Sequence, residues 1–338
     1  MDVFARMRLP HGPLALTRLG LGCAQLGGLF QPMPEPDALA LVDAAWELGI
    51  RHFDTAPYYG FTLSEHRLGA ALRKRPRGEY VVSTKVGRVM RADRSIQAGE
   101  CGWAAPLPFR PHYDYSHDAI LRSHEDSLQR LGMDRIDILY VHDIGRVTHG
   151  EQAAHYWQQL TSGGGFRALT RLRDEGVISG FGLGVNEWEV VAAAMDECPL
   201  DCVLLAGRYT LLEQASLAPL MDRCAREGTA VVIGGPFNSG ILAGSNKFNY
   251  EDAPRAIVER VARIAALCQQ FDVPLQAAAL QFPLAHPAVV SIIPGAQDSA
   301  QLRQNAAWAS QPLPDGLWQA LREAGLIDPA APVPASAP

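Results

Sequence analysis

No run in this 338-residue chain is long and uncharged enough to cross a bilayer, and its start, MDVFARMRLPHG, has no apolar segment of the secretory kind. That argues against a spanning protein and makes a cytoplasmic one the expectation. Excess positive charge is missing as well: 30 Lys plus Arg stand against 36 Asp plus Glu, a net charge of -6. Neither nucleic acid nor an anionic membrane is therefore expected as a partner. The six cysteines, at 23, 101, 198, 202, 224 and 268, show no CxxC spacing and no histidines at ligand intervals. Neither a zinc site nor a redox motif is indicated, and they read as reduced, mostly buried small hydrophobes. Cys23, in a Gly-rich turn, is the one that could do more than fill space. That turn lacks the full dinucleotide fingerprint, because Gln25 stands three after Gly22 where GxGxxG needs glycine. Its glycines either let backbone approach a ligand or only turn the chain.

What is present is a strict alternation of strand-like and helix-like runs. Leu41, Ala45 and Leu48 share a helical face closed by Gly49. Thr62-x-x-Glu65 has the form of a capping box ahead of Leu68, Ala71 and Leu72. Leu121, His124, Leu128 and Leu131 follow at helical spacing, so His124 reads as a satisfied, half-buried histidine rather than a ligand. Strand-type runs IRHFD, YVVSTK, IDILYVH, SGFGLGV, CVLLAG, TAVVIGG and AVVSIIPG follow LTRLGLGC, making eight in all. Eight strands joined through helices predict a closed (β/α)8 barrel of the TIM type, one domain over residues 1–328. Residues Arg6–Leu9 and Leu14–Thr17 flank His11-Gly12-Pro13, which predicts a short N-terminal hairpin closing the barrel's bottom. Residues 143–165 read as irregular, and a Pro/Ala-rich tail, 329–338, reads as disordered.

Three of these strands end in an ionisable side chain: Asp54, Lys85 and His142. Tyr59 lies five residues past Asp54, after Pro57 forbids further ladder pairing and before Gly60. A parallel barrel brings all strand C-termini to one face, so the four converge there. Between Val86 and Ser116 runs a long stretch without sustained period, holding Trp103, Phe109, Tyr113 and Tyr115. A loop that long predicts a function, and it must emerge beside Lys85. It is expected to fold over the site, with Trp103, Phe109 and Arg110 as candidate substrate contacts; alternatively its aromatics anchor it to the rim.

The settings FDTAPYYG, STKVG and LYVHD, in this order, resemble the aldo-keto reductase family, and the likeness runs from about Leu19 to Asn305. The segment LPFRPHYDYSHDAILRSHEDSLQRLGMDRIDILYVHDIG resembles most the branch of bacterial aldose 1-dehydrogenases (L-fucose, L-galactose, D-threo-aldose) and pyridoxal 4-dehydrogenase. The resemblance implies a catalytic tetrad of Asp54, Tyr59, Lys85 and His142 working with a nicotinamide cofactor on a small sugar or aldehyde. Tyr59 would be the proton donor in carbonyl reduction or the base in alcohol oxidation. Lys85 would lower the phenol's pKa, Asp54 would partner Lys85, and His142 would hold the substrate oxygen.

For cofactor binding the resemblance implies Gly22, Cys23, Asp54, Asn186, Gly234, Phe237, Asn238, Gly240, Gly295, Ala296, Gln301 and Asn305. Here the chain departs from the family pattern. Gly184 and Val185 stand where a Ser-Asn pair is usual, Ala206 replaces a Gln, and Gly234 replaces a stacking aromatic that Phe237 could supply. Gly295 and Gln301 stand where NADP-preferring relatives carry a Lys and an Arg. Without that clamp a 2′-phosphate gains little, so NAD is the expected cofactor, with NADP possible if an Arg such as Arg303 substitutes. Oxidation of an aldose at C1 to the lactone is the leading expectation. Reduction of an aldehyde or ketone, or oxidation of pyridoxal, would use the same tetrad, and a nicotinamide-binding accessory barrel is the non-enzymatic alternative.

Overall fold

A computed structural model describes residues 2–335. In chain order its strands are β1 (Arg6–Arg8), β2 (Ala15–Thr17), β3 (Leu21–Gly22), β4 (His52–Asp54), β5 (Val81–Val86), β6 (Arg88–Ala92), β7 (Phe109–Tyr113), β8 (Ile138–His142), β9 (Gly180–Val185), β10 (Cys202–Ala206), β11 (Ala230–Gly234), β12 (Lys247–Phe248), β13 (Glu251–Asp252) and β14 (Val289–Ile293). Eight of them pair in the order β3-β4-β5-β8-β9-β10-β11-β14, every pairing parallel. A bridge between Leu19 and Ile292 joins the first strand to the last, with Gly20 N donating to Ile292 O at 2.8 Å and Ile292 N to Arg18 O at 2.8 Å. The predicted barrel is thus closed.

Runs such as VVSTKV and ILYVH form its staves because both faces of a parallel strand are buried, and every residue in them is. Gly182 shows why β9 is so rich in glycine: a Cβ there would stand 1.6 Å from Cys202 O on the next strand. Around the outside pack α1 (Glu35–Leu48), α2 (Leu63–Leu72), α3 (His117–Leu131), α4 (Arg146–His149), α5 (Ala153–Leu160), α6 (Gly165–Asp174), α7 (Trp188–Glu197), α8 (Asp222–Glu227), α9 (Arg255–Gln270), α10 (Leu275–Gln281), α11 (Ser299–Ser310) and α12 (Asp315–Glu323). The β1–β2 hairpin forms as expected, and its Leu9 and Leu16 pack onto Val81, Ile138, Cys202 and Ala230 at the strand starts. The lower mouth is plugged by hydrophobic side chains. No helix among the described residues is long and apolar enough to cross a membrane.

Five expectations need correction. Thr62 takes φ 86 with no side-chain cap bond, and Glu65 turns inward to Thr84 Oγ1 at 2.6 Å and Arg130 Nε at 2.5 Å, so no capping box forms. Residues 143–165 are not irregular but carry α4 and α5. The stretch after β5 holds an antiparallel hairpin, β6 with β7. His124 is buried, yet its Nε2 has no hydrogen-bond partner. The tail is ordered through 335: Ala331 is fully buried and its carbonyl accepts from Arg322 Nη2 at 2.7 Å. Residues 336–338 of that tail lie outside the described residues.

Candidate active site

β4, β5 and β8 are neighbours, with Asp54, Lys85 and His142 at or next to their C-terminal ends. Lys85 Nζ donates to Asp54 Oδ2 at 2.6 Å and to Thr55 O at 2.9 Å, and Ser83 Oγ donates to Asp54 Oδ1 at 2.7 Å. The ammonium lies 4.7 Å from the centre of the Tyr59 ring, close enough for its charge to act on the phenol. His142 completes the group, its ring 6.1 Å from that of Tyr59. The four residues predicted from the strand ends therefore form one cluster, with Tyr59, Lys85 and His142 facing a common cavity and Asp54 bonded to Lys85.

Burial would strip Lys85 of its proton, but Asp54 and Tyr59 more than offset this and hold it charged. The same burial lifts the Asp54 carboxyl, while Lys85 and Ser83 pull it back. On Tyr59 burial outweighs Lys85, so the phenol sits above its ordinary value rather than below it. This reverses the expected direction: the resting form is a neutral proton donor. Burial, aided by the positive charges of Arg88 and Lys85, drives His142 well below the usual histidine range, leaving a neutral imidazole. A neutral imidazole can still donate one hydrogen bond to a substrate oxygen.

Tyr59, Lys85 and His142 open into a cavity of about 610 Å³ walled by Tyr58, Trp103, Tyr113 and Tyr250. Trp103 is brought there by the loop after β5, its ring 5.7 Å from Tyr59 and 5.6 Å from Tyr58. Phe109 and Arg110, expected to touch substrate, do not line it. Phe109 packs with Phe61, Met90 and Trp103, and Arg110 faces outward to Asp93 at 2.5 Å and Glu100 at 2.7 Å. Hydrogen-bonding demand within the loop explains the error, since both acids lie within seventeen residues of Arg110. Missed in the sequence were Arg88 and Asp143, which form a charged pair in the wall. Each directly follows a recognised strand, Arg88 three residues after Lys85 and Asp143 one after His142, which is the signal that could have found them.

A second cavity of about 400 Å³ shares Ala24, Tyr59, Leu204 and Tyr250 with the first and runs over the ends of β3, β11 and β14. Of the residues expected to bind cofactor, Gly22, Cys23, Asp54, Gly234, Phe237, Gly240, Gly295 and Gln301 line it. Asn186 lines the substrate cavity instead. Asn238, Ala296 and Asn305 are buried behind the wall: Asn238 is consumed by Thr210, Gly207 and Glu213, and Asn305 Nδ2 reaches Gly295 O at 3.4 Å. Two of its glycines are required by packing, because a Cβ on Gly22 would stand 2.7 Å from Ile293 O and one on Gly295 2.1 Å from Gln25 Oε1, and both leave bare backbone in the lining. That Gln25 oxygen is buried without a partner and remains available to a donor. A nicotinamide dinucleotide would be held by Gly22, Phe237, Gly240, Gly295 and Gln301, and would supply the acceptor or donor of hydride.

A parallel barrel with an Asp-Lys-Tyr-His cluster where a dinucleotide groove meets a small aromatic cavity defines a nicotinamide-dependent oxidoreductase. The chain belongs to the Aldo/keto reductase family, whose model matches residues 18–325. It is 51% identical over 327 residues to a pyridoxal 4-dehydrogenase from Microbacterium luteolum, covering 93% of this chain and 95% of that one. To a D-threo-aldose 1-dehydrogenase from a Pseudomonas species it is 41% identical over 323 residues, again covering 93% and 95%. Among solved structures, the holo form of an aldo-keto reductase from Bacillus halodurans superposes with a TM-score of 0.74 at 25% identity, covering 96% of this chain and 97% of that chain.

Proposed function

We propose that this enzyme oxidises the hemiacetal carbon of a small cyclic substrate to a lactone, with NAD as hydride acceptor. Aldoses close on themselves to hemiacetals, and so does pyridoxal, whose aldehyde is flanked by a hydroxymethyl group. The two named relatives therefore act on compounds that share one reacting unit, a ring carbon bearing hydrogen and hydroxyl. Aldose oxidation at C1, the expectation from sequence, is one member of this class.

The observation that carries the reading is the convergence of Tyr59, Lys85 and His142 on one small cavity that joins the nucleotide groove. His142 donates to the hemiacetal hydroxyl oxygen and orients it, while ionised Tyr59 removes the hydroxyl proton as C–H is lost as hydride. The oxygen lone pair becomes the lactone carbonyl, and Lys85, fixed by Asp54, balances the charge on Tyr59.

NAD rather than NADP is supported by the lining of the nucleotide groove, which contains no Lys or Arg among the described residues. The turn at its end is tied to itself, Gln297 N donating to Gln301 Oε1 at 2.6 Å and Gln301 N to Asp298 Oδ1 at 2.7 Å. Arg303 faces Glu47, 3.5 Å away. A 2′-phosphate would thus have no Lys or Arg in the lining to pair with, and Arg303 lies outside it beside Glu47.

The test is NADH release with L-fucose, L-galactose and pyridoxal, each product examined for the lactone by mass spectrometry, and repeated with NADP. Lactone with NAD is expected. Reduction of simple aldehydes by NADPH without lactone from any hemiacetal would replace this reading with that of a carbonyl reductase.

A further inference from the structure

Arg88 begins β6, immediately after Gly87, and its guanidinium enters the wall of the substrate cavity, almost fully buried. It lies 4.0 Å from the centre of the Tyr58 ring and 5.3 Å from that of Tyr113, so two aromatic faces fix its plane. Nη2 is taken by Asp143 Oδ2, while Nε is buried with no partner. A guanidinium has five N–H donors in a rigid fork, and leaving one unpaired in a buried site is costly. Nε is shut inside the wall, and the donor of the guanidinium left open toward the cavity is Nη1, which makes no hydrogen bond among the described residues.

The geometry also fixes where the partner would lie. Asp143 Oδ2, which accepts from Arg88, is 3.4 Å from His142 Nε2. A single oxygen therefore bridges the guanidinium and the imidazole that orients the reacting hydroxyl. Because both groups meet the same carboxylate oxygen, a substrate with oxygens on adjacent substituents could set one on His142 and its neighbour on Arg88. Asp143 alone leaves the guanidinium's remaining donors unused, and the field of Arg88 already acts on His142. Both cations at this end of the cavity are already paired, Lys85 with Asp54 and Arg88 with Asp143, so a charged oxygen gains there through a direct hydrogen bond to the guanidinium rather than through a net positive field. The walls Tyr58, Trp103 and Tyr113 offer flat faces to a planar ring.

We infer that Arg88 is the specificity-determining residue of the substrate cavity, its unpaired guanidinium donor taking an anionic oxygen on the ring position next to the reacting carbon. This rests on the hemiacetal reading and narrows it, favouring an aromatic hemiacetal with an ortho phenolate, as pyridoxal has, over a neutral sugar. Arg88 does not touch the hydrogen that leaves, so its effect falls on selection and on KM.

The experiment compares pyridoxal with ortho-(hydroxymethyl)benzaldehyde, which closes to the same hemiacetal but lacks the phenolic oxygen and the ring nitrogen. Wild type is expected to favour pyridoxal in kcat/KM by roughly ten- to hundredfold, the worth of a hydrogen bond to a charged group. In Arg88→Gln that ratio collapses towards one, mainly through KM for pyridoxal, and Arg88→Lys restores part of it. NAD binding, followed by quenching of tryptophan fluorescence, shows whether each variant is folded. A wild-type enzyme that forms lactone from both aldehydes equally well would overturn the inference while leaving the hemiacetal reading intact. So would a variant that loses both substrates in the same proportion, as a purely structural clamp between β6 and Asp143 predicts. If wild type forms lactone from neither aldehyde nor from any sugar, the hemiacetal reading falls and takes this inference with it.

Discussion

Tyr59 is caught between two opposed influences, burial that keeps its proton on and Lys85 that would draw it off, and burial wins. Oxidation needs the phenolate, so kcat/KM for oxidation should still be climbing as the pH passes the ordinary tyrosine value of ~10, while carbonyl reduction, which needs the neutral phenol, should stay flat and then decline. A plateau of the oxidation limb below pH 8 would contradict this. Tyr59→Phe should lower kcat about 10²- to 10⁴-fold, the usual worth of a positioned acid or base, with NAD affinity by fluorescence titration within about twofold. Lys85→Met leaves the Asp54 carboxyl buried and unpaired, which should cost about 3–5 kcal/mol of unfolding free energy in urea. At the other end of the groove, Gln301→Arg should raise kcat/KM for NADP by about tenfold or more by supplying the missing cation. The tetrad was legible because each member sits in a short motif at a strand end. Arg88 and Asp143 were passed over because the signal they leave is position alone, just beyond the strand ends marked by Lys85 and His142, with no motif of their own. Asn238 and Asn305 misled for the converse reason: in a string of letters, a buried amide bonding to backbone looks like one facing a ligand.

Among elements, the β6–β7 hairpin carries Trp103 to the cavity through a fold that the sequence concealed. Pro111 lies within β7 opposite Met90, where an edge strand can spare the donor it lacks. Pairing between residues some twenty apart leaves no periodic trace in either strand. Its hinge is Gly87, at φ 99, where a Cβ would stand 2.2 Å from Tyr115 Cε1. Gly87→Ala should therefore shift the hairpin from Tyr115, whose hydroxyl donates to His142 O at 2.8 Å. A loss of about 2 kcal/mol or more in stability is expected, with a rise in substrate KM larger than that in NAD KM. The barrel strands and outer helices, by contrast, were legible because short apolar runs alternate with helical periods and the interruptions are glycines and prolines. The C-terminal tail was misread because alanine and proline dominate both disordered chains and segments pressed flat onto a helix. What settles it is Arg322 binding the Ala331 carbonyl.

Taken whole, the barrel buries several histidines in neutral form. Burial holds His52, inside the barrel 3.1 Å from Ser291 Oγ, down to about 3, and His149 down to about 4. The unfolded chain accepts protons near the ordinary histidine pKa of ~6.5, which the folded chain refuses until far lower pH. Stability from this source is complete above ~6.5 and is lost progressively as the pH falls towards the folded values. Between pH 6.5 and 5, before carboxylates titrate, the urea midpoint should therefore drop steadily; a level midpoint across that interval would show these rings to be protonated in the native state.

The plug formed by Leu9 and Leu16 also decides from which side ligands come. With the strand starts stoppered, both chambers open only toward the strand ends, and Phe30 and Tyr250 belong to the lining of each, so bulk added at either residue would be felt by both ligands at once.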